Sequence, residues 1–232
     1  MTPVTVITGT RKGIGRYLAE HYIEQGHYVV GCSRGGATLE HERYDHRCLD
    51  IGDEQAVIAL FRWVRQRHNG LDHLVNNAGI GLRNLAMLTP FGSVLDVLRT
   101  NVGGTFVVCR EAAKLMARTG GGRIVNFGSV AVALAPEGTA IYAASKAAVL
   151  TLTRVLAREL GPYGITVNAV SPNPVETDLL ACMPQAVLDE VFARQALGGL
   201  GTLVDVASVV DFYLAPSSGF VTGQNVYLGG VG

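Results

Sequence analysis

The sequence carries no excess charge of either sign: 19 Lys and Arg balance 19 Asp and Glu over 232 residues. A nucleic-acid binder needs a clustered basic excess, so that class of function is set aside. No run of about 18 uncharged apolar residues occurs, and no membrane span is predicted. The opening Met1-Thr2-Pro3-Val4 enters a strand-like run at once and leaves no room for a signal peptide, so the expected location is cytoplasmic. Cysteine is scarce. Cys32, Cys48, Cys109 and Cys182 form no C-x-x-C pair and read as buried free thiols of a reducing compartment. His41, Glu42 and His46 lack the spacing of zinc ligands on a helix; they read as a solvated loop, and no metal site is expected. No Gly-Lys-Ser/Thr follows the first glycine-rich turn, which excludes a P-loop. Gly128-Ser129-Val130-Ala131-Val132 is not the G-x-S-x-G of a serine hydrolase.

What is present alternates from end to end. Val4 to Ile7 reads as a strand, Gly13 to Gln25 as a helix stopped by Gly26, and Tyr28 to Cys32 as a second strand. Arg47-Cys48-Leu49 ends a weaker third. Helical spacing of Val57, Leu60, Phe61 and Val64 stops at Asn69-Gly70, and His73-Leu74-Val75 is a fourth strand. Helical stretches flank Asn101 and run to Met116; Arg123 to Phe127 is a fifth strand. A long helix from about Tyr142 to Leu160 leads to a sixth strand, Thr166 to Val170. Two helices, Val187 to Arg194 and Val204 to Leu214, precede a last strand at Val226-Tyr227-Leu228. Apolar strands alternating with helices predict an α/β fold: a Rossmann-type, doubly wound parallel sheet of about seven strands, with helices on both faces. Without a linker or composition break, one domain spans 1–232.

In such a sheet, ligands bind beyond the carboxyl ends of the strands. The unusual residues gather there: Thr8 to Gly15 after strand one, Ser33-Arg34-Gly35-Gly36 after strand two, and Asp50-Ile51 after strand three. Asn76-Asn77-Ala78-Gly79 follow strand four, Gly128-Ser129 strand five, and Ser171-Pro172-Asn173-Pro174 strand six. The first turn combines glycines, which let the backbone approach a pyrophosphate, with the positive end of a helix. Tyr142 and Lys146 stand four apart and share one helix face. An ammonium beside a phenol favours the phenolate and makes a tyrosine useful as an acid-base group near neutrality. A hydroxyl such as Ser129 can hold an oxygen on which charge develops.

Together these motifs resemble the short-chain dehydrogenase/reductase family along essentially the whole chain. Thr8-Gly9-x-x-x-Gly13-Ile14-Gly15 is similar to its cofactor turn, Asn76-Asn77-Ala78-Gly79 to its Asn-Asn-Ala-Gly motif, and Asn101, Ser129, Tyr142 and Lys146 to its catalytic tetrad. Gly198 to Thr202 and Val221-Thr222-Gly223-Gln224 resemble stretches of its 3-oxoacyl-carrier-protein reductases. The resemblance implies that Tyr142 is general acid or base and that Ser129 polarises the carbonyl. Lys146 would lower the Tyr142 pKa and hold the nicotinamide ribose, and Asn101 would break its helix and hold a relay water. Gly9, Thr10, Arg11, Lys12, Gly13, Ile14 and Gly15 would cradle the pyrophosphate. Asp50 and Ile51 would border the adenine, Asn77, Ala78 and Gly79 the adenosine, and Val175 and Thr177 the nicotinamide. It also implies a homo-oligomer, a tetramer or dimer pairing through the long helices of Asn101 and Tyr142, with Val149, Leu152 and Leu156 on the face to be covered.

Two departures stand out. The loop after strand six reads Pro172-Asn173-Pro174 where the family has Pro-Gly, and an Asn before proline is pushed to extended geometry. Leu228-Gly229-Gly230 lacks the aspartate frequent before that glycine pair. For the cofactor, an NAD site of this architecture places an acid near the end of strand two. Here Cys32-Ser33-Arg34 has none, and Arg34, helped by Arg11 or Lys12, suits a 2′-phosphate, so NADP(H) is expected over NAD(H). The expected function is NADPH-dependent reduction of a ketone, by resemblance a 3-oxoacyl thioester. The alternatives are an alcohol dehydrogenase or ketoreductase of a secondary-metabolite pathway, and a non-catalytic NADP(H)-binding sensor or scaffold. The largely apolar or small segments Val130 to Ile141 and Leu179 to Gly198 would shape a moderately hydrophobic pocket.

Overall fold

The computed structural model describes residues 2–176 and 185–231. Seven parallel strands among them form one sheet in the order β3-β2-β1-β4-β5-β6-β7. They are β1 (Val4–Thr8), β2 (Tyr28–Ser33), β3 (Tyr44–Cys48), β4 (His73–Asn76), β5 (Gly122–Phe127), β6 (Ile165–Ser171) and β7 (Asn225–Tyr227). The order reverses between β1 and β4, which opens a crevice beyond their carboxyl ends.

Alternation along β1 shows how the sheet is covered. Val4 and Val6 pack on one face with Val57, Leu60, Phe61 and Val64 of α2 (Glu54–His68), Val108, Ala112 and Met116 of α4 (Thr105–Thr119), and Leu156 of α6 (Ala140–Leu160). Ile7 faces the other side, with Leu18 and Tyr22 of α1 (Gly13–Glu24) and Val206, Val210 and Tyr213 of α8 (Leu203–Leu214). Each fully buried valine or leucine contributes about 1.5–3 kcal/mol, so both layers are needed.

Helix ends follow local chemistry. Asp53 caps α2, its carboxylate accepting from the amides of Gln55 at 2.9 Å and Ala56 at 3.2 Å, and Asn69 closes that helix in the left-handed region. Thr202 and Asp205 form a reciprocal capping box on α8.

Several expectations shift. The third strand ends within Arg47-Cys48-Leu49 as expected and starts at Tyr44: Tyr44 is buried and Asp45 accepts from Tyr28 Oη at 2.7 Å, so tertiary bonds carry a stretch with little apolar pattern. His46 therefore lies within β3 and not in a solvated loop. Cys48 is exposed, against the expectation for every cysteine, while Cys32 and Cys109 are buried, with thiol pKa values pushed up to about 12 by burial; Cys182 lies outside the described residues. The tyrosine-bearing helix begins at Ala140, behind Thr139. A four-residue helix α5 (Ala131–Leu134) follows Ser129 unannounced. Two more helices, α3 (Phe91–Leu98) and α7 (Gln185–Ala193), complete the order. The face named for an oligomer is already covered: Val149 and Leu156 are buried within the chain and Leu152 packs on the same core. The segment Ala140–Tyr163, containing α6, has the length and mean hydropathy of a membrane span, but it buries Ser145, Lys146 and Thr153 beside the sheet.

Candidate active site

The crevice begins at the turn after β1. Gly9 and Gly13 adopt φ +80° and +57°, values that L side chains rarely tolerate. At Gly15 a Cβ would stand 2.3 Å from the Gly9 carbonyl oxygen, so only glycine lets the start of α1 close over the turn. Lys12 precedes that helix in extended geometry with no side-chain cap bond. Its first turn faces the crevice as a positive dipole end suited to a pyrophosphate.

The next strand ends are knitted to this turn. Thr8 Oγ1 donates to Asn76 Oδ1 at 3.2 Å and accepts from the Ala78 amide at 2.9 Å, while Asn77 Nδ2 donates to the Thr8 carbonyl at 2.9 Å. Asn77 and Ala78 thus hold the loop after β4 against the glycine turn. Gly79 follows, its Cα flanked by Asn101 Oδ1 and Lys146 Nζ. Asn101 lies in a π-helical turn, Arg99–Gly104, between α3 and α4. Its Oδ1 accepts from the Ile80 amide at 2.8 Å, and its Nδ2 donates to the Ile80 carbonyl and to Ser145 Oγ, each at 3.0 Å. Asn101 therefore joins the β4 loop to α6, a link that the bare Tyr-x-x-x-Lys spacing does not disclose; Ser145 was missed.

Ser129, Tyr142 and Lys146 converge from the end of β5 and the first turns of α6. Ser129 Oγ accepts from the Ala131 amide at 3.1 Å, and the Ser129 side chain stands near enough to Tyr142 to favour its phenolate. Lys146 is buried, 6% exposed, and donates to the Phe127 carbonyl at 2.8 Å, with Nζ 6.0 Å from the centre of the Tyr142 ring. Burial pushes the Tyr142 pKa up and Ser129 pulls it partly back. Burial also lowers Lys146, to about 8. Burial dominates at Tyr142, and the Lys146 ammonium is turned to the Phe127 carbonyl.

The outer positions spread along the same edge. Arg34 is exposed after β2, and the Arg11 guanidinium lies against Gly35. Asp50 bonds the Gly52 amide at 2.9 Å and pairs with Arg99 at 3.1 Å, while Ile51 is buried against Gly104. Val175 is buried in a bridge to Gly201. Thr177 lies outside the described residues, as do 179–184 of the expected pocket wall. Asn173 is drawn inward: its Nδ2 donates to the Gly199 carbonyl at 3.4 Å and Gly201 leaves room for its Oδ1. The departure from Pro-Gly thus ties the loop to 199–201. Among the described residues no cluster suits a metal ion.

Residues 9–230 match the family described as enoyl-(acyl carrier protein) reductase. The chain is a short-chain dehydrogenase/reductase. It is 32% identical to the 3-oxoacyl-(acyl-carrier-protein) reductase FabG of Vibrio cholerae, over 98% of this chain and 96% of that protein. Among solved structures, ElxO with NADP bound superposes with a TM-score of 0.90 at 29% identity, covering 98% of this chain and 97% of the other. NAD+-bound xylitol dehydrogenase does so with a TM-score of 0.91 at 28% identity, covering 98% of each. As a short-chain dehydrogenase/reductase the protein is an NAD(P)-dependent oxidoreductase acting on a CH–OH or C=O group.

Proposed function

We propose that this short-chain dehydrogenase/reductase works as one catalytic and cofactor-binding unit over 1–232, reducing a ketone with NADPH, and that a 3-oxoacyl thioester is its substrate class. The observation that carries the reading is the convergence of Ser129, Tyr142 and Lys146 beside a glycine turn that a side chain would close. A nicotinamide bound there supplies the hydride. The chain's own residues handle the proton and the charge. Tyr142 donates its hydroxyl proton to the substrate oxygen in reduction and takes it back in oxidation; Ser129 donates to the same oxygen and holds it in place. Lys146 lies at the base of the pair, poised near neutrality by burial, and with Asn101 flanks Gly79, a position from which a relay water reaches the crevice. Arg34, Arg11 and Lys12 receive the 2′-phosphate.

The similarity to FabG and the largely apolar segment Val130 to Ile141 support the thioester. The buried free thiols and an NADPH-consuming reaction support a cytoplasmic location. Exposed Phe106 and Val155, on α4 and α6, support a homo-oligomer paired through those helices.

The test follows NADPH absorbance against a panel of ketones and acyl thioesters, with Tyr142→Phe beside the wild type. Turnover of one class is expected, with the variant about 10²–10⁴ slower and still binding NADPH, since the ring packs in place. Unchanged turnover in the variant, with chemistry limiting the rate, removes Tyr142 from the role of acid.

A further inference from the structure

Beside the glycine turn a chain of side-chain hydrogen bonds runs from Thr10 to the loop after β2, and the hydride chemistry leaves it unused. Thr10 Oγ1 lies 2.8 Å from Tyr44 Oη, and that hydroxyl lies 2.9 Å from His46 Nδ1. On the other side of the ring, His46 Nε2 lies 3.0 Å from the Gly35 carbonyl oxygen and 3.1 Å from Ser33 Oγ. Ser33 Oγ itself donates to the same Gly35 oxygen at 2.8 Å. Gly31 makes the room: a Cβ there would stand 2.2 Å from Tyr44 Oη and 2.4 Å from Thr10 Oγ1.

One group fixes the direction of the chain. A carbonyl oxygen only accepts, and a bare nitrogen lone pair 3.0 Å from it would be repelled, so Nε2 carries the hydrogen. With Nε2 as the donor, Nδ1 takes the acceptor role toward the Tyr44 hydroxyl, and the Tyr44 oxygen accepts from Thr10. Every donor finds an acceptor in this arrangement, as a partly buried network requires.

The far end of the chain grips the loop that carries Arg34, and Arg11 of the glycine turn packs on that loop; both arginines are assigned to the 2′-phosphate. Arg34 lies between Ser33 and Gly35, and its carbonyl accepts from the Cys48 thiol at 3.0 Å. Arg11 packs on Gly35, where a Cβ would stand 2.7 Å from its Nη1, and its own carbonyl accepts from Thr38 Oγ1 at 2.7 Å. We propose that His46, through the Nε2–H bond to the Gly35 carbonyl, is a positioning residue that holds Arg34 and Arg11 in register for the phosphate on the adenosine ribose and so sets cofactor specificity. This inference rests on the NADP(H) reading above.

The two amide replacements of His46 separate the ring nitrogens. Gln places an N–H near Nε2 and keeps the Gly35 bond; Asn places its amide near Nδ1 and leaves Gly35 without that partner. Dissociation constants for NADPH and NADH are measured by fluorescence titration at fixed ionic strength. His46→Asn should weaken NADPH about 5- to 10-fold with NADH within about twofold, the loss of roughly one hydrogen bond, while His46→Gln restores the NADPH value to near wild type. Equal losses in Gln and Asn, or equal losses for both cofactors, overturn the proposal. Should the variants not fold, ring-nitrogen NMR of the wild type decides it: the Nε2–H tautomer is expected, and Nδ1–H overturns the inference. Arg34→Ala separates this inference from the reading beneath it. A wild type that prefers NADH removes the NADP(H) reading. A wild type that prefers NADPH, loses that preference in Arg34→Ala and keeps it in His46→Asn removes only the role of His46.

Discussion

Arg34 is a side chain whose effect can be read without disturbing the fold, because it is exposed and its loop is held through the backbone. A charge-assisted hydrogen bond to a 2′-phosphate contributes about 1.5–3 kcal/mol and has no counterpart with NADH. Arg34→Ala should therefore weaken NADPH roughly 10- to 150-fold and leave NADH nearly unmoved. Arg34→Asp should go further, repelling the phosphate and offering the NADH ribose an acceptor. Fluorescence titrations of both cofactors measure this, and equal weakening of the two would remove Arg34 from the phosphate site. Gly15 behaves in the opposite way, since it sets the turn and not a ligand charge. With its Cβ 2.3 Å from Gly9 O, Gly15→Ala should weaken NADPH and NADH together. A variant that discriminates between them would contradict a purely steric role.

At the scale of the element, capping ties local sequence to the position of the crevice. Asp53 holds two amides of α2, and α2 begins directly after Asp50, Ile51 and Gly52 at the end of the β3 connection. Asp53→Ala should cost about 1 kcal/mol of stability by urea unfolding, with Asn recovering most of it. A loss no larger than that of an exposed alanine control would show the cap to be spare. The π-turn at Asn101 is the other element whose geometry matters. It turns one side chain into the shared partner of Ile80 and Ser145, so the β4 loop and α6 are tied through Asn101. Strands β1, β2, β4, β5 and β6 follow from their apolar runs, whereas β3 is held by Tyr44 and by the Tyr28–Asp45 bond, which only the paired sheet can supply.

For the whole molecule, stability depends on groups at the amino-terminal ends of the strands, away from the crevice. His73 is mostly buried and its pKa is lowered to about 4 by burial, with His27 adding repulsion; Asp72 pulls the other way. Its Nδ1 lies 3.3 Å from Thr5 Oγ1, which also meets His27 Nδ1 at 2.8 Å. An unfolded histidine titrates near 6.5, so between about 6.5 and 4 the unfolded chain binds more protons than the folded one. Stability should hold above 6.5, fall as the pH drops through that window, and lose at most about 3 kcal/mol to this group. Urea melts at pH 7, 5.5 and 4 should show that slope, and His73→Asn should flatten it. An unchanged slope would assign the acid sensitivity elsewhere. The oligomer belongs to this scale too. Light scattering at micromolar concentration should return a multiple of the 24.6 kDa chain, and Phe106→Glu with Val155→Glu should return the monomer. A monomeric wild type would remove the oligomer.

The sheet and the places where chemistry sits on it are legible in the chain's residue order, because period-two and period-3.6 apolar patterns and glycine-rich strand ends are local signals. From those signals alone the glycine turn, Asn76-Asn77-Ala78-Gly79, Ser129, Tyr142 and Lys146 all fall at carboxyl ends of strands or at the start of a helix. How these groups act on one another follows from packing, which no local signal carries. Burial raises Tyr142 and lowers Lys146, and no spacing reports the depth at which a side chain ends. The inward turn of Val149 and Leu156 depends on which helix face meets β5 and β6, a choice made by packing. His46 shows the same division most sharply. Its neighbours in sequence are polar and suggest solvent, but its partners Thr10, Ser33 and Gly35 come from the turn after β1, the end of β2 and the loop beyond it, and only the parallel pairing of β1, β2 and β3 brings them to one ring.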